Sequence, residues 1–492
     1  MTVVVLEPFK LGDFIQSTAL LAELRRSYPN QGLFLVASRP EVIAAADHTG
    51  LADETILLSE AQWAQGSSAK IPSCQLLVNL SSSPQALNVA QNIEAKEVLG
   101  PVKDEVLGGA ILPPPQKLAR AVMLVDRRLG RFNLVDLWRL LSPAGPGAIR
   151  RLRWPLWGPK ENGDQDAAWP EEFRALLSAR GESTGQGELG VSHKGSWARA
   201  RPLVGFHMGS GHHLRRWPTE YFCEAYKLIG HCDLVLLGGP AERALAKMFM
   251  AILGDRAHSV TDLSGRTSLA TLGRVLAKLD LLVSADTGVI HMAAAVDTPI
   301  VAAFGGPALA GETGPYSRKA TIIQGYGPCS PCREGPNCRL SVCPYLPGPG
   351  PIAWAARSIL GLPRLESHEE SFKDEGFHRT YRPIYDAFGQ NLVVDSSFES
   401  TTDYDFADEE DLAMAIRTAG IAALKLDQYH QTLAAQGLDK KDGQALKVSQ
   451  NPSGAHRLME TVRSIADLAF SDLETKRRFV LTADAILFAR QN

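Results

Sequence analysis

VVVLEPFKLGDFIQSTALLAELRRSYPNQGLFLVA, residues 3–37, decides the fold. Val3-Val-Val-Leu6 is a short aliphatic, β-branched run of the kind that forms a strand buried on both faces. Phe14, Ile15, Thr18, Leu21 and Leu24 then recur at helical spacing, and Tyr28-Pro29-Asn30 stops that helix before a second strand at Leu33–Ala37. This is a βαβ unit. Further strands expected at Thr55–Leu58 and Leu76–Leu80 alternate with helix-like stretches, so residues 1–150 are expected to form an open α/β domain.

Residues 151–200 change to Trp, Pro, Gly, Glu and Ser, with a short helix expected at Pro170–Ala179, and read as a linker with an insertion. The alternation then restarts. Strands are expected at Leu203–His207, Asp233–Leu237, Leu281–Ser284 and Ile300–Phe304, and helices at Glu220–Gly230 and Glu242–Leu253. Another helix is marked by Leu269, Leu272, Val275, Leu276 and Leu279, with Thr267 as its expected cap. Residues 201–365 thus form a second α/β domain. From residue 366 to 492 the sequence becomes charged and helix-forming, with helices expected near 412–436, 456–470 and 472–490, and reads as a mostly helical extension for packing or oligomerisation.

The gross numbers narrow the function class. With 492 residues, 45% of them hydrophobic, the chain can bury large cores. A formal charge of −3 provides no global basic field, so nucleic acid is not an expected partner. The opening MTVVVLEPFK breaks at Glu7 and Pro8 and does not read as a signal peptide, and no stretch reaches the roughly 20 apolar residues of a membrane span. A cytoplasmic protein is expected.

Three stretches carry chemistry. Gly12-Asp13 lies where the first strand turns into the first helix, the position at which open α/β sheets bind ligands. Asp13 there can act as a general base or bond to backbone amides as a helix cap. His207-Met-Gly-Ser-Gly-His-His-Leu-Arg-Arg-Trp-Pro218 combines glycines that permit close backbone approach with Arg215 and Arg216, whose guanidinium groups match phosphate. Ser284-Ala-Asp-Thr-Gly-Val-Ile-His291 runs from a buried strand through a polar turn into a small-residue helix. The first-turn amides of that helix, with Thr287 and Gly288, can hold a diphosphate, while Asp286 orients the loop or meets a sugar hydroxyl. His291 is either a ligand contact or a buried structural histidine.

Cys329, Cys332, Cys338 and Cys343 fall within one Pro- and Gly-rich loop, a set suited to tetrahedral coordination by four sulfurs. A structural zinc or iron is expected there. Cys74, Cys223 and Cys232 read as isolated buried thiols.

Four separated motifs resemble the ADP-heptose heptosyltransferase family, glycosyltransferase family 9. They are Leu11-Gly12-Asp13 with its helix ending at Tyr28-Pro29, Arg215-Arg-Trp-Pro218, Leu236-Leu-Gly-Gly-Pro240, and Asp262-Leu-Ser-Gly-Arg-Thr267 leading into Ser284–His291. The resemblance covers about residues 1–350. It implies a GT-B fold, two Rossmann-like domains facing a cleft, and inverting transfer of heptose from ADP-heptose to a lipopolysaccharide inner-core saccharide or a protein. It also implies Asp13 as the base and Gly12, Gly209, Ser210, Arg216, Asp286, Thr287, Gly288 and His291 as donor-binding. Arg215, where many relatives carry lysine, would stabilise the leaving diphosphate without a catalytic divalent metal. A branch of the family that modifies autotransporter proteins is similar in carrying cysteine-bound iron. Peripheral association with the inner membrane and a homo-oligomer fit the same resemblance. The rival readings are a nucleotide-sugar-binding assembly module without catalysis, the same fold using another nucleotide sugar, and an NAD enzyme. The last lacks a G-x-G-x-x-G turn at the first strand–helix junction.

Overall fold

A computed structural model describes residues 2–7, 10–103, 110–111, 133–139, 141–142, 152–155, 169–181, 201–326, 338, 342–363, 378–385 and 390–394. Strands β1 (Thr2–Glu7), β2 (Gly32–Ala37), β3 (Glu54–Leu57), β4 (Cys74–Asn79) and β5 (Ala95–Leu99) form a parallel sheet in the order β3-β2-β1-β4-β5. Helices α1 (Leu11–Ser27), α2 (Pro40–Thr49), α3 (Glu60–Ala64) and α4 (Pro84–Gln91) link them. The aliphatic run read from the sequence is β1, and Val3, Val4, Val5 and Leu6 are fully buried, as a central parallel strand covered on both faces requires.

Helix α1 is also buried on more than one face: Phe14, Ile15, Ala19, Leu20, Leu21 and Leu24 are all at most 1% exposed. Gln16, Ser17, Thr18 and Glu23 are buried as well, so most of the helix is packed between layers. Burying the apolar side chains supplies roughly 1.5–3 kcal/mol each. Its last turn carries Arg25, which donates to the carbonyls of Gln31 and Leu51 and pairs with Asp53 at 2.8 Å. The cation there complements the negative end of the helix.

After a short hairpin, β6 (Val102–Lys103) with β7 (Ala110–Ile111), and helices α5 (Leu134–Arg139) and α6 (Glu171–Ala179), the second sheet begins. Strands β8 (Leu203–His207), β9 (Asp233–Leu237), β10 (Val260–Asp262), β11 (Leu281–Ala285), β12 (Ile300–Phe304) and β13 (Ala320–Gly325) are parallel, ordered β10-β9-β8-β11-β12-β13. Helices α7 (Thr219–Ile229), α8 (Arg243–Leu253), α9 (Leu269–Lys278), α10 (Gly288–Ala295), α11 (Ala310–Thr313) and α12 (Pro349–Ile359) complete it. The cap of α9 is Ser268, whose hydroxyl accepts from the Thr271 amide at 3.1 Å, and not the expected Thr267. The residue next to the first helical turn is the one whose side chain reaches the free amide.

Another expectation changes. The extension read as mostly helical from residue 366 contains β14 (His378–Tyr385) and β15 (Gln390–Val394), which continue the second sheet antiparallel from β13. Strand pairing overrides local composition there, with Tyr381 buried and its hydroxyl 2.8 Å from that of Tyr326. The helices expected beyond residue 394 lie outside the described residues. Of the 151–200 segment, read as a linker with an insertion, the described parts pack into the structure: Leu152, Trp154, Trp169, Phe173 and Leu177 sit in the core. Trp154 packs at a tilt against His48 of α2 with ring centroids 4.8 Å apart, and its indole covers Gly273 of α9.

The two sheets are thereby joined. One apolar cluster contains Phe14 and Leu20 from α1 together with Leu276 and Ile290 from α9 and α10. A buried polar group crosses the same junction: Arg139 pairs with Glu23 at 2.9 Å and Asp136 at 3.3 Å, and Tyr316 donates to Asp136 at 2.7 Å.

Candidate active site

In each sheet the strand order reverses beside the first strand, between β1 and β4 and between β8 and β11. Ligands bind at such reversals, outside the carboxyl ends of the strands. From the first sheet this point presents the start of α1, and from the second it presents the loops after β8 and β11. The structure brings these starts together. A Cβ on Gly12 would lie 2.9 Å from the Gly288 Cα, so α1 and α10 meet almost backbone to backbone at their first turns.

Asp13 is the third residue of α1. One carboxylate oxygen, Oδ2, accepts from the Lys10 backbone N–H at 3.2 Å, so the capping role is real. The other, Oδ1, has no hydrogen-bond partner among the described residues. Burial pushes the Asp13 carboxyl above its ordinary value; the Lys10 backbone bond opposes this, the nearby Asp286 carboxylate adds to it, and the charges of Lys10 and Arg215 lower it. Asp13 is therefore within electrostatic range of a pair of residues from the other domain.

That pair is Arg215 and Asp286. Arg215 closes a 3-10 turn over His213–Arg215, and its Nη1 donates to Asp286 Oδ2 at 2.7 Å. Asp286, 5% exposed, is pushed up by burial while Arg215 and the Thr313 hydroxyl pull it down. Arg215 Nε is buried and has no acceptor among the described residues, leaving a guanidinium donor unspent beside the site. Positive charge is concentrated here. His212, stacked on His213 at 5.0 Å, is held below its ordinary pKa by partial burial and then by the charges of Arg215, His213 and Lys10.

Thr287 precedes α10 and gives it no side-chain cap, so the partial positive charge at the start of that helix is not met by a cap from its own side chain. Its hydroxyl sits 3.3 Å from Ser284 Oγ and 3.4 Å from His207 Nδ1. His291, one turn into α10, is buried against Gln16 of α1. Burial lowers His207 to about 4 and His291 to about 3, so both rings are neutral.

The remaining expected residues divide. Gly209 lies in the loop after β8, pressed by Glu242: a Cβ there would stand 2.6 Å from Glu242 Oε1. Ser210 holds the same loop through bonds to the carbonyl and amide of His212. Arg216 is exposed and donates to the Ser210 carbonyl, so it braces the loop and does not join Arg215 on Asp286. Cys329 and Cys332 lie outside the described residues. Cys338 is half-buried, and Cys343 is buried against Gly305 and Gly306, underneath Leu214. Among the described residues no group of three or more His, Cys, Asp or Glu is placed to hold a metal. Cys74, Cys223 and Cys232 are buried thiols raised to about 11, 12 and 12 by that burial, as expected of inert residues. No described helix is long and apolar enough to cross a membrane.

Three site residues were not singled out from the sequence. Glu242, whose Oε2 accepts from the Gly239 amide at 2.8 Å, follows the Gly-Gly-Pro after β9, where a Rossmann-like sheet places its ribose-binding acid. Lys10 reaches over the cleft to within 3.6 Å of where a Gly211 Cβ would be. Gln16 is the third, and a lone helical glutamine carries no signal.

Comparison with known proteins shows what the chain is similar to. The glycosyltransferase family 9 (heptosyltransferase) profile matches residues 157–341. Lipopolysaccharide heptosyltransferase 2 of Salmonella typhimurium is 32% identical over 133 residues, 26% of this chain and 38% of that protein. Lipopolysaccharide heptosyltransferase 1 of Pseudomonas aeruginosa is 32% identical over 149 residues, 30% and 39% respectively. The match thus spans less than two fifths of those relatives. A glycosyl transferase family 9 structure from Veillonella parvula superposes with a TM-score of 0.50 at 20% identity, over 73% of this chain and 97% of that one, a likeness of fold. Two parallel α/β domains joined at the carboxyl ends of their strands form the GT-B architecture, and within the second of them the chain is similar to glycosyltransferase family 9, the heptosyltransferase family.

Proposed function

We propose that this protein is an inverting glycosyltransferase that moves heptose from ADP-heptose to a lipopolysaccharide saccharide. The observation that carries the reading is the close contact of Gly12 with Gly288 at the first turns of two helices, which sets Asp13, from one domain, within electrostatic range of the Arg215–Asp286 pair, from the other. The relatives' names favour a lipopolysaccharide acceptor; a protein acceptor is the outcome to be tested against it.

In this reading Asp13 Oδ1 takes the proton of the acceptor hydroxyl as that oxygen attacks the sugar C1 and the bond to the diphosphate breaks on the opposite face. A carboxyl raised by burial is a stronger base than a free one, which suits the task. Arg215, with its unspent Nε–H, and the first amides of α10 receive the charge that develops on the departing ADP. Asp286 holds Arg215 in place, Glu242 meets the ribose hydroxyls, and Lys10 adds positive charge from the acceptor side. Gly209 and Gly288 give room to Glu242 and to Gly12 of α1, which lets the loops that would hold the donor close on one another. No step needs a divalent ion.

The four-cysteine loop belongs to this reading as support. Four thiols are a donor set for zinc or iron. A metal there would brace the segment beneath Leu214 and so the turn carrying Arg215, a role for elemental analysis of the purified protein to decide.

The test is to titrate the purified full chain with ADP-heptose and a panel of other nucleotide sugars, then measure transfer to lipopolysaccharide and protein fractions. ADP-heptose should bind and its sugar should appear on the saccharide. Failure of ADP-heptose to bind, with another nucleotide sugar binding well, would overturn the donor assignment. Transfer undiminished in Asp13→Ala would sink the catalytic one.

A further inference from the structure

Directly below the Gly12–Gly288 contact, one buried polar pair links the same two helices. Gln16 Nε2 lies 3.2 Å from His291 Nε2, and the residues are 2% and 3% exposed. Gln16 follows Gly12 by one turn and His291 follows Gly288 by three residues, so the pair sits on the faces that carry the glycine contact.

A second neighbour favours one orientation of the amide. Gln16 Nε2 also lies 3.5 Å from the Gly12 carbonyl oxygen, and the reversed amide would set two acceptors against each other there. An amide nitrogen only donates, so His291 Nε2 must accept. A neutral imidazole has a single N–H, which is then on Nδ1. Both Gln16 Oε1 and His291 Nδ1 are buried without partners among the described residues. An apolar pair would fill this space without stranding two polar atoms, so bulk alone does not account for these residue types.

We propose that Gln16 is a positioning residue: its amide fixes His291 as the Nδ1–H tautomer and sets the placement of α1 on α10, and with it the placement of Asp13 opposite Arg215 and Asp286. The catalytic consequence rests on the transfer reaction proposed above; the tautomer does not.

Nitrogen NMR of the histidine-labelled full chain, with the His291 signals assigned by their loss in His291→Gln, reads the tautomer directly. The native protein should show the Nδ1–H form, Gln16→Leu should lose it, and Gln16→Glu, which offers only acceptors, should move the proton to Nε2. In kinetics, Gln16→Leu should lower kcat by about tenfold or more while the donor KM stays within about twofold, since a small misplacement acts on the reacting geometry. The reciprocal pair Gln16→His with His291→Gln, which rebuilds a donor–acceptor contact, should recover most of that loss. A tautomer unmoved by Gln16→Leu in a folded protein would overturn the proposal, as would a kcat loss that tracks melting temperature and is not recovered by the reciprocal pair. A native chain that transfers no sugar would defeat the proposed function, while the NMR result would still decide Gln16.

Discussion

Gly12 and Gly288 stand so close that a methyl group added to either would press on the other's backbone, at 2.9 Å for Gly12 and 3.1 Å for Gly288. They lie on helices from different sheets, so the spacing between the Asp13 carboxylate and the Arg215 guanidinium depends on two residues without side chains. Gly12→Ala should destabilise the protein by about 1–3 kcal/mol, the usual cost of overpacking. It should also lower kcat more than it raises KM. Urea unfolding and steady-state kinetics check the two halves; an unchanged protein would mean the helices part easily.

Asp13→Asn separates stability from activity. The native carboxyl is raised by burial, so the folded state holds its proton more tightly than the unfolded chain. Stability is therefore lost as pH rises from the unfolded value through the raised folded one, and it stays lost at neutral pH. The amide removes that penalty. Asp13→Asn should unfold at an equal or higher temperature at pH 7 while turnover falls by about 10²–10⁴-fold. The native enzyme should show an acid limb in kcat/KM above the ordinary aspartate range of about 4. A less stable, still active variant would remove Asp13 from the mechanism.

Arg215→Lys keeps the charge but loses the planar fork that bonds Asp286 and leaves Nε toward the site. ADP binding should weaken by about tenfold, or roughly 1.4 kcal/mol. Arg215→Ala strands a buried Asp286. Because the Arg215 side chain is 30% exposed, the stability loss should reach about 2–3 kcal/mol, below that of a fully buried pair. Calorimetric titration with ADP and thermal unfolding measure these outcomes.

The two buried histidines set the acid limit. Both folded values, about 4 for His207 and about 3 for His291, lie below the unfolded value of 6.5. The unfolded chain binds protons first, so stability is present above pH 6.5 and is lost as pH falls toward the folded values. Two protons taken up on unfolding correspond to a slope of about 2.7 kcal/mol per pH unit near pH 5. Urea unfolding at pH 7, 6 and 5 should show it, and His207→Asn should reduce the slope by about half. A flat profile would mean that the rings are hydrated.

Much of the scaffold was legible because its signals are local. The aliphatic runs at Val3–Leu6 and Leu203–His207 announce strands buried on both faces, and Phe14 to Leu24 announces a helix by spacing. Asp13, Arg215 and Asp286 could each be named from their place after a strand, but their convergence is a tertiary fact. Gln16 gave no sign, since its partner is 275 residues away. Strands β14 and β15 hid for another reason. HRTYRPIY mixes charges and a proline, and an antiparallel strand need bury only one face, so charge and β-pairing coexist there.

Those two strands decide how short this protein can be made. With them in place, β13 is an interior strand, and all six of its residues, Ala320 to Gly325, are shielded. Cutting the chain at residue 365, where composition suggests a boundary, would bare that strand's row of amides and carbonyls along an apolar ribbon. Such a ribbon is a template for pairing between molecules. A truncated version should therefore self-associate into sheet-rich aggregates, whereas one carried through residue 394 should stay dispersed.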